Sequence, residues 1–160
     1  MSSPIVIAAP DHPALGPALA RFAEELRAET RYFGRRGRAA RKPTPSFVRR
    51  LVAPAPGVRL AALVDGRVVG VARADATGPD GPELRIAVVA EWRGRGVART
   101  LTAQILERTG ALGYQRLVVR SSRRSTALRA LAASLGCELV DHGRGRIDVI
   151  LRWEALQRAG

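Results

Sequence analysis

Lysine is nearly missing from this 160-residue chain: of its 27 basic residues only Lys42 is lysine, and every other one is arginine. Aromatic residues are also scarce, at 4%. That scarcity argues against a surface that holds single-stranded nucleic acid by stacking bases on aromatic rings. The single cysteine, Cys137, cannot form an internal disulfide, which fits a reducing compartment. No stretch approaches the ~20 consecutive apolar residues that span a bilayer. The opening residues MSSPIVIAAPDHPAL carry no basic leader ahead of their short apolar run. The expectation is a cytoplasmic protein with no membrane segment.

What is present is 46% hydrophobic residues, enough for the core of one globular domain over residues 1–160. The net charge is +13. Such a surface attracts anions, whether nucleic acid, acidic proteins or phosphorylated cofactors. A coding bias toward Arg and Ala would give the same charge with no partner, so the charge alone selects nothing.

Residues 4–8 (PIVIA) read as a short strand. Asp11 can cap a helix in which Leu15, Leu19, Phe22, Ala23 and Leu26 recur at helical spacing. Residues 34–46 (GRRGRAARKPTPS) break the pattern as a basic loop, and Ser46 can cap a short helix with Phe47, Val48 and Leu51. Strands 59–64 and 67–76 flank Asp65-Gly66, a dipeptide suited to a type I′ hairpin turn. A fourth strand runs over 83–89, then a helix from about Gly96 to Thr109 that turns Val97, Leu101, Ile105 and Leu112 inward. A strand at 115–119 and a helix capped by Ser125 and stopped at Gly136 lead to strands 137–141 and 146–153, joined by a turn at His142 to Gly145. The order defines one mixed α/β (α+β) domain.

The stretch that carries chemistry is ELRIAVVAEWRGRGVAR, residues 83–99. A helix start leaves backbone N–H groups unpaired and carries the positive end of the helix dipole. Glycines let that backbone approach an anion closely. Here the turn runs Arg93, Gly94, Arg95 and Gly96 into Val97 and Ala98, and three fates are open to it: pyrophosphate binding, nucleic-acid binding or a plain strand–helix connection. A dinucleotide fingerprint is disfavoured because Arg99 stands where its third glycine belongs, and no Gly-Lys-Ser/Thr of a P-loop is present.

Arg93, Gly96 and Ala98 meet the pattern Gln/Arg-x-x-Gly-x-Gly/Ala, and Leu135-Gly136-Cys137 resembles a later Leu-Gly-Phe. In these features the chain resembles the GNAT acyl-CoA N-acetyltransferases. The resemblance implies a twisted, mostly antiparallel sheet splayed between its fourth and fifth strands and flanked by helices. It also implies acetyl-CoA as cosubstrate and no metal. The pantetheine arm would pair with the main chain near Val88 and Val89, the pyrophosphate would lie on the N–H groups of residues 94–98, and Ser125 would touch the pantetheine.

A narrower resemblance lies in AETRYFGRR (28–36) and in Val69 to Arg73. Both are similar to bacterial protein lysine acetyltransferases that inactivate acyl-CoA synthetases, although Gly34-Arg35-Arg36 departs from that branch. Glu83 stands ten residues before Arg93, where the branch carries a glutamate. A carboxylate there can take the proton of an acceptor amine, which at pH 7 is almost fully protonated and unable to attack a thioester. A backbone N–H near Val88 or Val89 would hold the oxyanion. The tyrosine that many members use as an acid toward the leaving thiolate is replaced by Ala132. Neither His12 nor His142 takes a role, and Asp75 and Asp80 lack metal-ligand spacing. The acceptor class this favours is a protein lysine, with an acidic protein such as an acyl-CoA synthetase as partner. Alternatives are a small-molecule amine acetyltransferase of the same fold, and a non-catalytic module binding acyl-CoA or nucleic acid through Arg35, Arg36, Arg38, Arg41 and Lys42.

Overall fold

The computed structural model describes residues 5–9, 13–28, 45–53, 57–76, 81–122, 126–144, 146–152 and 154. Asp11, Ser125, the basic loop residues Arg35, Arg36, Arg38, Arg41 and Lys42, and the segment Tyr32-Phe33 lie outside them.

The described chain runs β1 (Val6–Ala8), α1 (Gly16–Ala28), α2 (Pro45–Val52), β2 (Val58–Val64), β3 (Arg67–Asp75), β4 (Glu83–Val88), α3 (Val97–Ala111), β5 (Arg116–Ser122), α4 (Thr126–Leu135), β6 (Glu138–Gly143) and β7 (Arg146–Arg152). Seven strands form one sheet in the order β1-β2-β3-β4-β5-β7-β6. All neighbours are antiparallel except β4 and β5. The β2–β3 turn places Asp65 at φ 49° and Gly66 at φ 77°, the two positive angles that a type I′ turn requires.

Alternation along the strands assigns the two faces. A Cβ built on Gly70 would meet Val97 Cγ1 at 2.9 Å and Leu101 Cδ1 at 3.1 Å. Even-numbered positions of β3 from Gly70 onward therefore look toward α3, and glycine at 70 lets the helix pack tightly on the sheet. Odd-numbered positions look the other way: the Arg73 guanidinium donates to the carbonyls of Arg50 and Ala53 at the end of α2. Leu60, Ala72, Leu84, Leu101, Ile105 and Leu117, all essentially buried, belong to one apolar core that Phe22 and Leu26 of α1 and Leu51 of α2 also join.

Several local expectations need correction. Pro45 opens α2, so Ser46 lies inside the helix rather than capping it. Leu112 comes after α3 ends at Ala111 and is 68% exposed rather than facing inward. His142 belongs to β6, because an irregularity between Asp141 and Gly143 lets the strand run to Gly143 before the reversal.

Candidate functional site

Strand β4 has two unlike edges. Against β3 it is zipped along its whole length, from Asp75↔Glu83 to Gly70↔Val88, and Val89 N–H extends the ladder by donating to Val69 O at 3.0 Å. Against β5 the register holds only one pair, Glu83↔Val118, supported by Val118 N–H donating to Pro82 O at 2.9 Å. Beyond that point β5 stays paired with β7 over its full length. The two parallel strands therefore part company as they leave Glu83, and a wedge opens toward Val88.

Antiparallel ladders alternate residues that bond to the neighbour with residues that face away. Because Val89 bonds to Val69, the N–H groups of Val88 and Ile86 point into the wedge, while the Val89 N–H is already engaged. The Val88 carbonyl is held by Arg93 Nε at 2.9 Å. That bond fastens the Arg-Gly turn to the end of the strand.

At the mouth of the wedge, a short 3-10 turn (Ala90–Trp92) leads into Arg93 to Gly96 and then α3. Gly96 is the N-cap residue of α3, at φ 82°, and no side chain caps the helix. A left-handed conformation at that position excludes a β-branched residue without strain. Space is open in front of both Gly94 and Gly96. The helix start thus offers backbone N–H groups and its dipole to the outside, as an anion site requires. Arg95 stacks on Trp92, its guanidinium carbon 4.9 Å from the ring centroid, which holds one cation beside this site.

Glu83 marks the narrow end of the wedge. Its side chain, 18% exposed, shares the α2-facing side of the sheet with Arg73, Asp75 and Arg85. Arg120 Nη1 donates to one Glu83 oxygen at 2.8 Å, and Arg85 Nη2 lies 3.4 Å from the other. Arg85 Nη1 in turn donates to Asp75 at 3.1 Å, and both Asp75 oxygens accept from Arg73 Nε at 2.7 Å. Charges of alternating sign therefore run from the end of α2 to the wedge.

Sequence reasoning overlooked a side-chain contact between β6 and β7. His142 Nε2 and Asp148 Oδ2 are 2.8 Å apart, and Asp148 is the cross-strand neighbour of Arg120. Placing His142 in a turn hid it. At the position of the missing tyrosine, Ala132 is buried at 1% exposure. Burial pushes the Cys137 thiol up to about 11, so it stays protonated at neutral pH.

The family model of the acetyltransferase (GNAT) family matches residues 19–137. The chain belongs to that family. Among solved structures, the GNAT domain of S. lividans PAT superposes with a TM-score of 0.70 at 19% identity, over 92% of this chain and 89% of that one. The PaiA N-acetyltransferase of Thermoplasma acidophilum, solved in complex with coenzyme A, gives a TM-score of 0.67 at 14% identity, over 94% and 99%. The ribosomal-protein-S18-alanine N-acetyltransferase of Escherichia coli gives 0.61 at 18% identity, over 92% and 90%. These superpositions establish a shared fold. Curated protein sequences give no match. No helix among the described residues is long and apolar enough to cross a membrane.

Proposed function

We propose that the chain, as one catalytic domain over residues 1–160, transfers the acetyl group of acetyl-CoA to a primary amine, with a protein lysine as the acceptor class. The observation that carries this reading is the wedge itself. It places unpaired main-chain groups of one strand directly beneath an uncapped helix start. Family membership and the coenzyme A found in the PaiA structure support the same ligand.

The residues fit that ligand in three places. The pyrophosphate lies on the N–H groups of residues 94–98, with Arg95 beside it. The pantetheine lies along β4, its amides meeting the main chain of Ile86 and Val88 as an added strand would. The third, a contact of Ser125 with the same arm, is assigned from the family resemblance alone. Acetyl-CoA supplies the activated acyl group, and the protein supplies orientation, a proton acceptor and an oxyanion donor.

Glu83 takes the proton from the acceptor amine, directly or through water. Its two arginine partners hold the carboxylate in place before substrate arrives, and an incoming ammonium competes with them for the same oxygens. The oxyanion accepts from the Val88 N–H, since that of Val89 is engaged with Val69. With Ala132 where a tyrosine would stand, the departing thiolate takes its proton from water.

The charge of +13 favours an acidic protein over a polycationic small amine. Among the structural neighbours, the S18-alanine enzyme is named for a protein acceptor. The test is release of free CoA thiol from acetyl-CoA with lysine peptides, acyl-CoA synthetases and a panel of small amines. Turnover on lysine acceptors that Glu83→Gln cuts by about 10² is expected. Turnover only with small amines would remove the lysine assignment, and none with any acceptor would remove the enzymatic one.

A further inference from the structure

Beside the wedge, at the end of the sheet away from the Arg-Gly turn, lies a cavity of about 760 Å3 that the chemistry above does not use. Arg50 at the end of α2, Arg73 and Asp75 at the end of β3, and Pro82 and Arg85 at the start of β4 form one side. Leu112 and Tyr114, between α3 and β5, form the other.

Three guanidiniums face a single carboxylate there. Asp75 is shared between Arg73 and Arg85, and Arg73 is further engaged by the carbonyls of α2. Arg85 is paired with Glu83 as well as Asp75, so the surplus positive charge of the cavity rests on Arg50. The lining also has uncovered apolar surface: Leu112 is 68% exposed and Tyr114 38%. Cationic and apolar side chains lining one cavity suit a carboxylate on a short apolar stem. Arg85 also contacts Glu83, and the two residues are separated by about 7 Å along a strand.

We propose that this cavity is an acceptor-specificity subsite that receives a carboxylate carried by the acceptor, an aspartate or glutamate side chain within about three residues of the reacting lysine. The inference rests on Glu83 being the reacting end of the acceptor site. An anion held by Arg50 in this cavity brings its own chain to Pro82, the residue before that glutamate. A lysine in a basic or neutral stretch lacks this contact.

The experiment uses fluorescent nine-residue peptides with one lysine and either Glu or Gln at each position from three before to three after it. Binding is followed by anisotropy and turnover by thiol release, in wild type, Arg50→Gln and Arg50→Lys. The best Glu peptide should bind about tenfold more tightly than its Gln twin, with the same ratio in kcat/KM. That preference should shrink in folded Arg50→Gln and be largely kept in Arg50→Lys. Equal binding of Glu and Gln peptides at every position, or a preference that Arg50→Gln leaves intact, overturns the subsite. Turnover without any Glu preference overturns the subsite alone and leaves acetyl transfer standing. Binding that depends on both Glu and Arg50, with no thiol release, keeps the subsite and removes acetyl transfer.

Discussion

Arg73 and Arg93 stand at opposite ends of the β3–β4 pair, and the chain uses the same side chain there in opposite ways. Arg73 is 7% exposed, grips both oxygens of Asp75 and closes the carbonyls at the end of α2. Arg59, next to it in the ladder, donates to the carbonyls of Val52 and Ala53. Burial, followed by the charge of Arg73, lowers the Arg59 pKa below its usual value. Helix ends leave carbonyls without partners, and these two cations supply them while meeting the negative end of the helix dipole. Arg93, by contrast, sits in an exposed glycine-rich turn and spends one donor on Val88 O. An arginine-rich composition therefore conceals two populations: one locks a helix to the sheet, and the other ties an exposed glycine-rich turn to the end of a strand.

The buried population should give the larger response. Arg73→Ala removes one member of a buried ion pair and two bonds to α2, so it should cost about 3 kcal/mol or more. For a domain of this size that lowers Tm by roughly 10 °C. Urea titration and thermal melts measure it. Acetyl-CoA affinity of the remaining folded protein should stay near wild type, since the turn lies at the other end of the sheet. A loss of cofactor affinity with unchanged stability would reverse the roles assigned to the two arginines.

Next in size is Glu83, where the ladder that begins at Arg73 reaches the wedge. Glu83→Gln keeps the shape and removes the proton acceptor. It should lower kcat by about 10² at pH 7 with acetyl-CoA affinity nearly intact, and the deficit should narrow at high pH, where the amine deprotonates itself. Stopped-flow thiol detection across pH checks this. Unchanged turnover at pH 7 would make Glu83 one more structural carboxylate, continuous with Asp75.

Local signals carried much of this molecule into its sequence, and non-local ones did not. Asp65-Gly66 announces its hairpin, because two adjacent positive φ angles suit few other pairs. A strand running into Arg93-Gly94-Arg95-Gly96 and then a helix is legible for the same reason: each residue's conformational preference is local. That β4 and β5 pair at a single point is a contact between distant segments, and only the family resemblance anticipated it. Nothing in the stretch VVGVAR reveals that Arg73 points at α2, since arginine within a strand more often reaches solvent. His142 was misplaced because Gly143 and Gly145 look like a turn, whereas the strand irregularity after Asp141 absorbs the extra residue and keeps the histidine on β6. Leu112 continued the apolar spacing of α3 past its true end and lies exposed.

A smaller effect is expected at Gly96, in the exposed population. Gly96→Val places a β-branched residue at φ 82° and crowds the space through which an anion reaches the backbone. Acetyl-CoA affinity should fall at least about tenfold by calorimetry, roughly 1.4 kcal/mol. Stability should drop by no more than about 1–3 kcal/mol, the usual range for such backbone strain. Full affinity in a folded variant would move the pyrophosphate away from the turn and leave Arg93 as a purely structural tie.

The smallest predicted effect concerns a third set of cations, Arg35, Arg36, Arg38, Arg41 and Lys42, which lie outside the described residues and are argued from charge alone. If they resemble the turn rather than the buried pair, they meet a partner. For an acidic acceptor protein, clustered positive charge acts mainly by raising the rate of encounter, an effect that salt screens. Changing all five to glutamine should lower kcat/KM for an acidic acceptor protein several-fold at low salt, and much less at high salt. Turnover of a small free amine should hold steady or rise as repulsion falls. Measuring both acceptors at two ionic strengths separates the cases. An equal loss on both would place these residues with Arg73, as support for the fold or cofactor. No loss on either would leave a solvated surface whose charge reflects composition, and the acidic-protein acceptor would then depend on the cavity beside Glu83 alone.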